Sequence, residues 1–144
     1  LTRPAAISAI HAAYFEAGAD IVETNSFGAV RHVLAEYGLE DKTLEICRAS
    51  ARLAAAEAAR FSTPTKPRFV AGALGPGTKT ISVTGGVTFD EVRRYYAEAA
   101  RGLMDGGSHL LLLETQQDTL NVKASLLGFQ DAFSELGRSL PVML

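Results

Sequence analysis

Glu114 follows four consecutive leucines, Leu110 to Leu113, so its carboxylate emerges from a run that reads as a buried strand. A carboxylate there must be solvated in a pocket, paired with a cation, or held neutral by a raised pKa. It can act as a fixed anion that receives a substrate ammonium group, or as half of a salt bridge to a cation such as Lys123. Two earlier runs also end in polar groups: Glu23-Thr24-Asn25-Ser26, then Gly75-Pro76-Gly77-Thr78; the third continues as Glu114-Thr115-Gln116-Gln117. In parallel α/β folds the C-terminal strand ends converge on one face, where ligands bind. Thr24, Asn25, Gly75, Glu114 and Thr115 therefore fall where one pocket could form, although strand termination and helix capping use the same residue types. Asn25 offers both a donor and an acceptor to a zwitterionic ligand, and suits a turn equally. Glu23 can face the same pocket or point outward between strand and helix layers.

Other chemistry is poorly supported. Gly72 to Thr80 approaches a phosphate-binding loop, but Lys79 does not follow the second glycine at a helix start, and Thr80 to Thr84 reads as extended or irregular. No G-x-G-x-x-G precedes a helix. His11, His32 and His109 are scattered over two helices and a strand start, without metal-ligand spacing. Cys47, the single cysteine, lies mid-helix among apolar positions, which reads as a buried structural thiol and leaves no internal disulfide or multi-cysteine metal cluster.

The elements that position these groups follow from periodicity. Helices are expected over 4–17, with Thr2 as N-cap and Ile7, Ile10 and Tyr14 inward, over 28–37, and over about 41–61 with Leu44, Cys47, Ala51, Ala54 and Ala58 as its stripe. Thr88 and Glu91 form a capping box opening a helix that Gly106-Gly107 closes, and Asp118 caps another that runs to Leu136. Strands are expected at 19–24, 68–74, 109–114 and 140–144. Helical crossovers imply parallel strands, and continuous apolar strands imply burial on both faces. The order α-β-α-α-β-α-β-α-β fits either a doubly wound open sheet or part of a (β/α)8 TIM barrel, normally about 250 residues. With 144 residues, a start inside a helix and a stop at Leu144 inside an apolar run, the expectation is a partial barrel domain over 1–144, about strands 2 to 5 of eight.

Composition narrows the function class. The chain is 47% hydrophobic and 21% charged, which is enough to bury a core. Fourteen Lys and Arg against sixteen Asp and Glu leave a net charge of -2, with no basic excess for a nucleic-acid or membrane partner. No apolar stretch approaches the ~20 residues a transmembrane helix needs, and no secretory signal opens the chain. A soluble, cytoplasmic location is expected.

The wording of the strand ends adds a resemblance. Residues Ala17 to Ala29, Val70 to Pro76 and Leu113 to Ala124 are similar, in that order, to the second-, third- and fourth-strand motifs of the homocysteine S-methyltransferase family. Glu23-Thr24-Asn25-Ser26-Phe27-Gly28 and Asp118-Thr119-Leu120-Asn121-Val122-Lys123-Ala124 most resemble the N-terminal homocysteine-binding domain of the cobalamin-dependent members. The resemblance implies a barrel whose C-terminal face binds L-homocysteine and zinc, with the zinc-bound thiolate taking a methyl group from methylcobalamin to give methionine. It implies that Glu114 receives the homocysteine amine and that Thr24, Asn25 and the Gly75-Pro76 turn line the pocket; Thr115, next to Glu114, is expected to bind substrate with them. The family's first-strand Asp-Gly-Gly turn and its later Asn-Cys and Gly-Gly-Cys-Cys-Gly motifs do not occur here, and Cys47 matches none of the zinc ligands. Zinc and cobalamin are thus expected in a full-length parent, with a cobalamin-binding domain of that parent as partner. This segment alone is expected to bind neither, to carry no catalytic or metal residue and to be inactive. Betaine or S-methylmethionine as methyl donor, or a non-catalytic α/β binding domain, are the alternatives.

Overall fold

The computed structural model describes residues 2–144. Helix α1 (Pro4–Glu16) starts with Pro4 in its first turn, where a missing N–H costs nothing, but Arg3 rather than Thr2 occupies the N-cap. Its inward face also differs from expectation. His11, Ala12 and Phe15 are buried, whereas Ile10 and Tyr14 are 52% and 62% exposed. Both sets satisfy helical spacing, so periodicity does not choose between them; the choice is made by Phe15 meeting Phe61 of the later helix α3 (Thr43–Phe61), ring centroids 5.8 Å apart. The helix expected over 28–37 is shorter: α2 (Arg31–Leu34) gives way to a 3-10 turn over Ala35–Tyr37, and Gly38 at φ 65 stops it. In α3, Cys47, Ala51, Ala54 and Ala58 are buried as their spacing predicts. Helix α4 (Phe89–Asp105) opens on the complete Thr88–Glu91 capping box, and α5 (Thr119–Leu136) on Asp118.

Four strands, β1 (Ile21–Glu23), β2 (Phe69–Leu74), β3 (Leu110–Leu113) and β4 (Val142–Met143), form one parallel sheet in the order β1-β2-β3-β4. A doubly wound sheet reverses its strand order at a switch point. Here the order follows the chain throughout, as consecutive strands of a (β/α)8 barrel do.

The pleat separates two environments. Val22, Val70, Gly72, Leu74, Leu111 and Leu113 share the face packed by helices: Leu74, Leu111 and Leu113 join the main core with Tyr96, Leu103 and Phe129, and Val22 and Val70 join Phe15, Ala54 and Ala58. Ile21, Glu23, Phe69, Ala71, Ala73, Leu110 and Leu112 alternate onto the opposite face. Burial on both faces holds for the centre of that side, Ala71, Ala73 and Leu112; it fails at its base, where Ile21 and Phe69 are 42% and 39% exposed, and throughout β4, where Val142 and Met143 are 38% and 46% exposed. Among the described residues the apolar cluster on that side consists of strand residues alone, with no helix packed on it.

Small residues let the helical layer close over the sheet. A Cβ on Gly128 of α5 would press into the Arg93 carbonyl oxygen of α4 and lie 2.9 Å from the Ala97 amide nitrogen. Gly128→Ala therefore reverses the usual sign of a mid-helix Gly→Ala change, which propensity alone makes stabilising by ~1 kcal/mol. Overpacking should instead cost ~1–3 kcal/mol, read as a lower urea midpoint at unchanged slope.

Candidate functional site

The three strand ends are tied together by hydroxyls and backbone. Thr24, 4% exposed, accepts from the Ala73 amide through Oγ1 at 3.0 Å and lies 2.5 Å from the Ser26 hydroxyl, which donates to the Ala73 carbonyl at 2.7 Å. The Thr24 hydroxyl is thus committed to bracing β1 against β2. Asn25, next to it, is exposed and lines a cleft of about 390 Å³ shared with Ile10, His11, Tyr14 and Glu23. Gly75 is fixed from three sides. Its amide donates to the Phe27 carbonyl at 2.8 Å, its carbonyl accepts from the buried Tyr96 hydroxyl at 2.6 Å, and the Phe27 ring occupies the space a side chain would need.

Glu114 extends the β2–β3 ladder by one rung, its amide donating to the Leu74 carbonyl at 3.1 Å. Leu113 belongs to the helix-facing core and Leu112 to the opposite cluster, so alternation returns Glu114 to the uncovered face. Glu114 is half-buried, and its one side-chain bond is to the adjacent Thr115 hydroxyl at 3.3 Å. Among the described residues it forms no ion pair, and Lys123, the sequence-level alternative partner, is exposed on α5. Thr115 has φ 58, the one non-glycine residue with positive φ among those described. A β-branched residue in that region is strained.

Just downstream the expected Asp118 cap is present, and with it two long-range bonds that the sequence did not indicate. Asp118 caps α5 by accepting from the Leu120 amide at 2.8 Å, and its other oxygen accepts from the Ser82 amide, also at 2.8 Å. Asn121, 1% exposed, accepts from the Ile81 amide at 2.9 Å. The connection after β2 is therefore hung on the connection that carries Glu114. Hydrogen bonds from Ser82 hold the Asp118 carboxyl below the usual aspartate range. The spacing Asp118 to Asn121, one turn apart at a helix start, was the available signal. Glu23 pairs in register with Ala71 and so falls on the uncovered face, resolving the ambiguity left by its sequence.

The remaining polar groups lie elsewhere. His109 accepts from the Val70 amide at the opposite end of the sheet. His32, buried and stacked on Tyr95 at 5.5 Å, has its pKa lowered mainly by burial. The Cys47 thiol donates to the Ala29 carbonyl at 3.4 Å inside the core, and burial pushes its pKa up to about 12. No group of three or more His, Cys, Asp or Glu among the described residues could hold a metal ion, so these residues do not fit a zinc site. A groove of about 760 Å³ runs over α4 and α5 between Arg31, Arg101, Glu98 and Glu135, on the helical shell and away from the strand ends. No helix is long and apolar enough to cross a membrane among the described residues.

The family model described as homocysteine S-methyltransferase matches residues 1–144. Methionine synthase of Mycobacterium leprae (strain TN) is 41% identical over 143 residues, 99% of this chain and 12% of that protein. Methionine synthase of Mycobacterium tuberculosis (strain ATCC 25618 / H37Rv) is 40% identical over 141 residues, 98% of this chain and again 12% of the relative. The chain thus spans about an eighth of the length of these curated relatives. Among solved structures, the homocysteine methyltransferase MmuM from Escherichia coli superposes with a TM-score of 0.74 in its oxidised form and 0.72 in its metallated form. Each comparison has 20% identity and covers 94% of this chain and 49% of that one, a likeness of fold.

Two outcomes follow from the site geometry. Thr24→Val keeps the shape but leaves the buried Ala73 amide without its acceptor, and should cost ~1–3 kcal/mol in chemical denaturation. The Asp118 pKa is depressed by folding, so its contribution to stability is present above the unfolded value and lost as pH falls through the folded one. Asp118→Asn should accordingly be less stable than the parent at neutral pH, and the gap should narrow on acidification below the ordinary aspartate range; a gap that widens would contradict the assignment.

Proposed function

The chain belongs to the homocysteine S-methyltransferase family, and from that premise we propose that residues 1–144 are a partial barrel domain supplying the amine-binding part of a homocysteine site in a methionine-forming enzyme. The observation that carries the reading is Glu114: an acid at the C-terminal end of β3, on the face no helix covers, with no protein cation paired to it among the described residues.

The roles follow from the chemistry of the groups. Homocysteine presents an ammonium, a carboxylate and a thiol. Glu114 accepts hydrogen bonds from the ammonium, a charge-assisted contact about twice as strong as a neutral one. Thr115, strained beside it, keeps the carboxylate from relaxing into another rotamer. Exposed Asn25 offers its amide NH2 to the substrate carboxylate, and Gly75 lets Phe27 close over the turn without a side chain between them. Thr24 acts through the brace that holds Asn25 at the end of β1. With its amine and carboxylate held, the substrate presents its sulfur toward a methyl donor, which proximity makes effectively intramolecular.

The methyl donor we propose is methylcobalamin, delivered by a cobalamin-binding domain of the same polypeptide. The methionine synthase relatives and the Glu-Thr-Asn-Ser-Phe-Gly wording support it. Zinc activation of the thiol belongs to the same proposal, with ligands drawn from outside the described residues, and no step is assigned to a metal held by this segment.

Calorimetry on the full-length polypeptide tests the amine anchor. Glu114→Gln should weaken homocysteine binding by ~1.5–3 kcal/mol, about ten- to a hundredfold, with zinc content unchanged. An unaltered dissociation constant refutes the role. Methionine formation from methylcobalamin, compared with betaine and S-methylmethionine, tests the donor.

A further inference from the structure

The connection from Glu114 to Asp118 is short, strained and pinned at both ends. At its start the Glu114 amide sits on the Leu74 carbonyl. At its end both Asp118 oxygens are taken, one by the Leu120 amide within its own helix and the other by the Ser82 amide, 36 residues earlier in the chain. Between them Thr115 has φ 58, and Gln116 donates from its side chain to the Glu114 carbonyl at 3.2 Å. A residue held in a sparsely populated region persists only where its surroundings over-determine it.

Capping α5 needs only one acceptor, which Ser, Thr or Asn would supply as well as Asp. The second Asp118 oxygen therefore does something a cap does not: it ties the connection after β3 to residues 79–84 after β2. Asn121 repeats the tie through Ile81. Residues 80–84 are themselves ordered, the Thr80 amide donating to the Thr84 hydroxyl at 3.0 Å and the Thr84 amide to the Thr80 hydroxyl at 2.9 Å, so they offer a firm support. Asp118 is 4% exposed and each of its oxygens accepts a backbone N–H, so it acts through the backbone it holds.

We propose that Asp118 is a positioning residue for the amine anchor: its bond to the Ser82 amide holds the Glu114–Asp118 connection in the strained form that fixes the Glu114 carboxylate. The inference rests on the reading that Glu114 receives the homocysteine amine. Asn at position 118 keeps an oxygen for the Leu120 amide, and so the cap, but places an NH2 against the Ser82 N–H. Ser82→Pro breaks the same bond from the other side by deleting the donor.

The test is steady-state kinetics of the full-length enzyme. Asp118→Asn and Ser82→Pro should each raise the homocysteine KM about tenfold with kcat within about twofold, and the double variant should be no worse than either single one, because both break one bond. A role confined to capping leaves the KM of Asp118→Asn unchanged, which overturns the proposal; so does a double variant whose effects multiply, or a fall in kcat at constant KM. Glu114→Gln is run alongside. If it leaves homocysteine affinity unaltered, the amine-anchor reading fails, and this inference with it. If it weakens binding while Asp118→Asn does not, only the positioning role fails.

Discussion

The bond from the Glu114 amide to the Leu74 carbonyl is the constraint on which the site depends. It is the last rung of the β2–β3 ladder, and it carries the register of that ladder one residue past the strand. Because side chains alternate along a strand, register alone decides whether the acid after Leu113 faces the helical layer or the uncovered side. A slip of one residue would send Leu112 to the helices and Glu114 into the apolar core, where an unpaired carboxylate is not tolerated. The leucine tract and the acid are thus one device: burial of Leu111 and Leu113 under α4 and α5 sets the direction in which Glu114 emerges.

The other strand ends are fastened on either side of that rung. Thr24 and Ser26 brace β1 to Ala73, Tyr96 reaches from α4 to the Gly75 carbonyl, and Asp118 and Asn121 hold the connection after β2. All five side chains bear polar groups and are buried, and they bond to backbone groups at the turns from strand to helix. That is where a parallel sheet leaves its strand-end N–H and C=O groups without ladder partners, and a buried one left unpaired is costly. The same bonds that satisfy the backbone make the rim rigid, which a recognition site on loops requires.

Much of this was legible in the sequence, for identifiable reasons. The four strands, the Thr88–Glu91 box and the Asp118 cap rest on local chemistry, and local chemistry decided them. Long helices with one clear stripe, such as α3, were equally legible. The extent of helix α1 was legible but its inward face was not, because Ile10/Tyr14 and His11/Phe15 are both spaced by four and only contact with α3 selects the second pair. The extent of α2 was misread because its apolar spacing continues through a 3-10 turn. At the site, the position of Glu114 followed from the leucine run, whereas the commitment of the Thr24 hydroxyl to Ala73 and the reach of Asp118 to Ser82 join residues 49 and 36 positions apart. Such bonds depend on strand register, which a single sequence does not display.

The most direct measurement is a crystal structure of the full-length protein with homocysteine bound. The account predicts the substrate nitrogen within hydrogen-bond distance, about 3 Å, of a Glu114 carboxylate oxygen, with Thr115 still at positive φ. A substrate whose ammonium meets other groups, while Glu114 pairs with a protein cation or turns toward the helices, would contradict it.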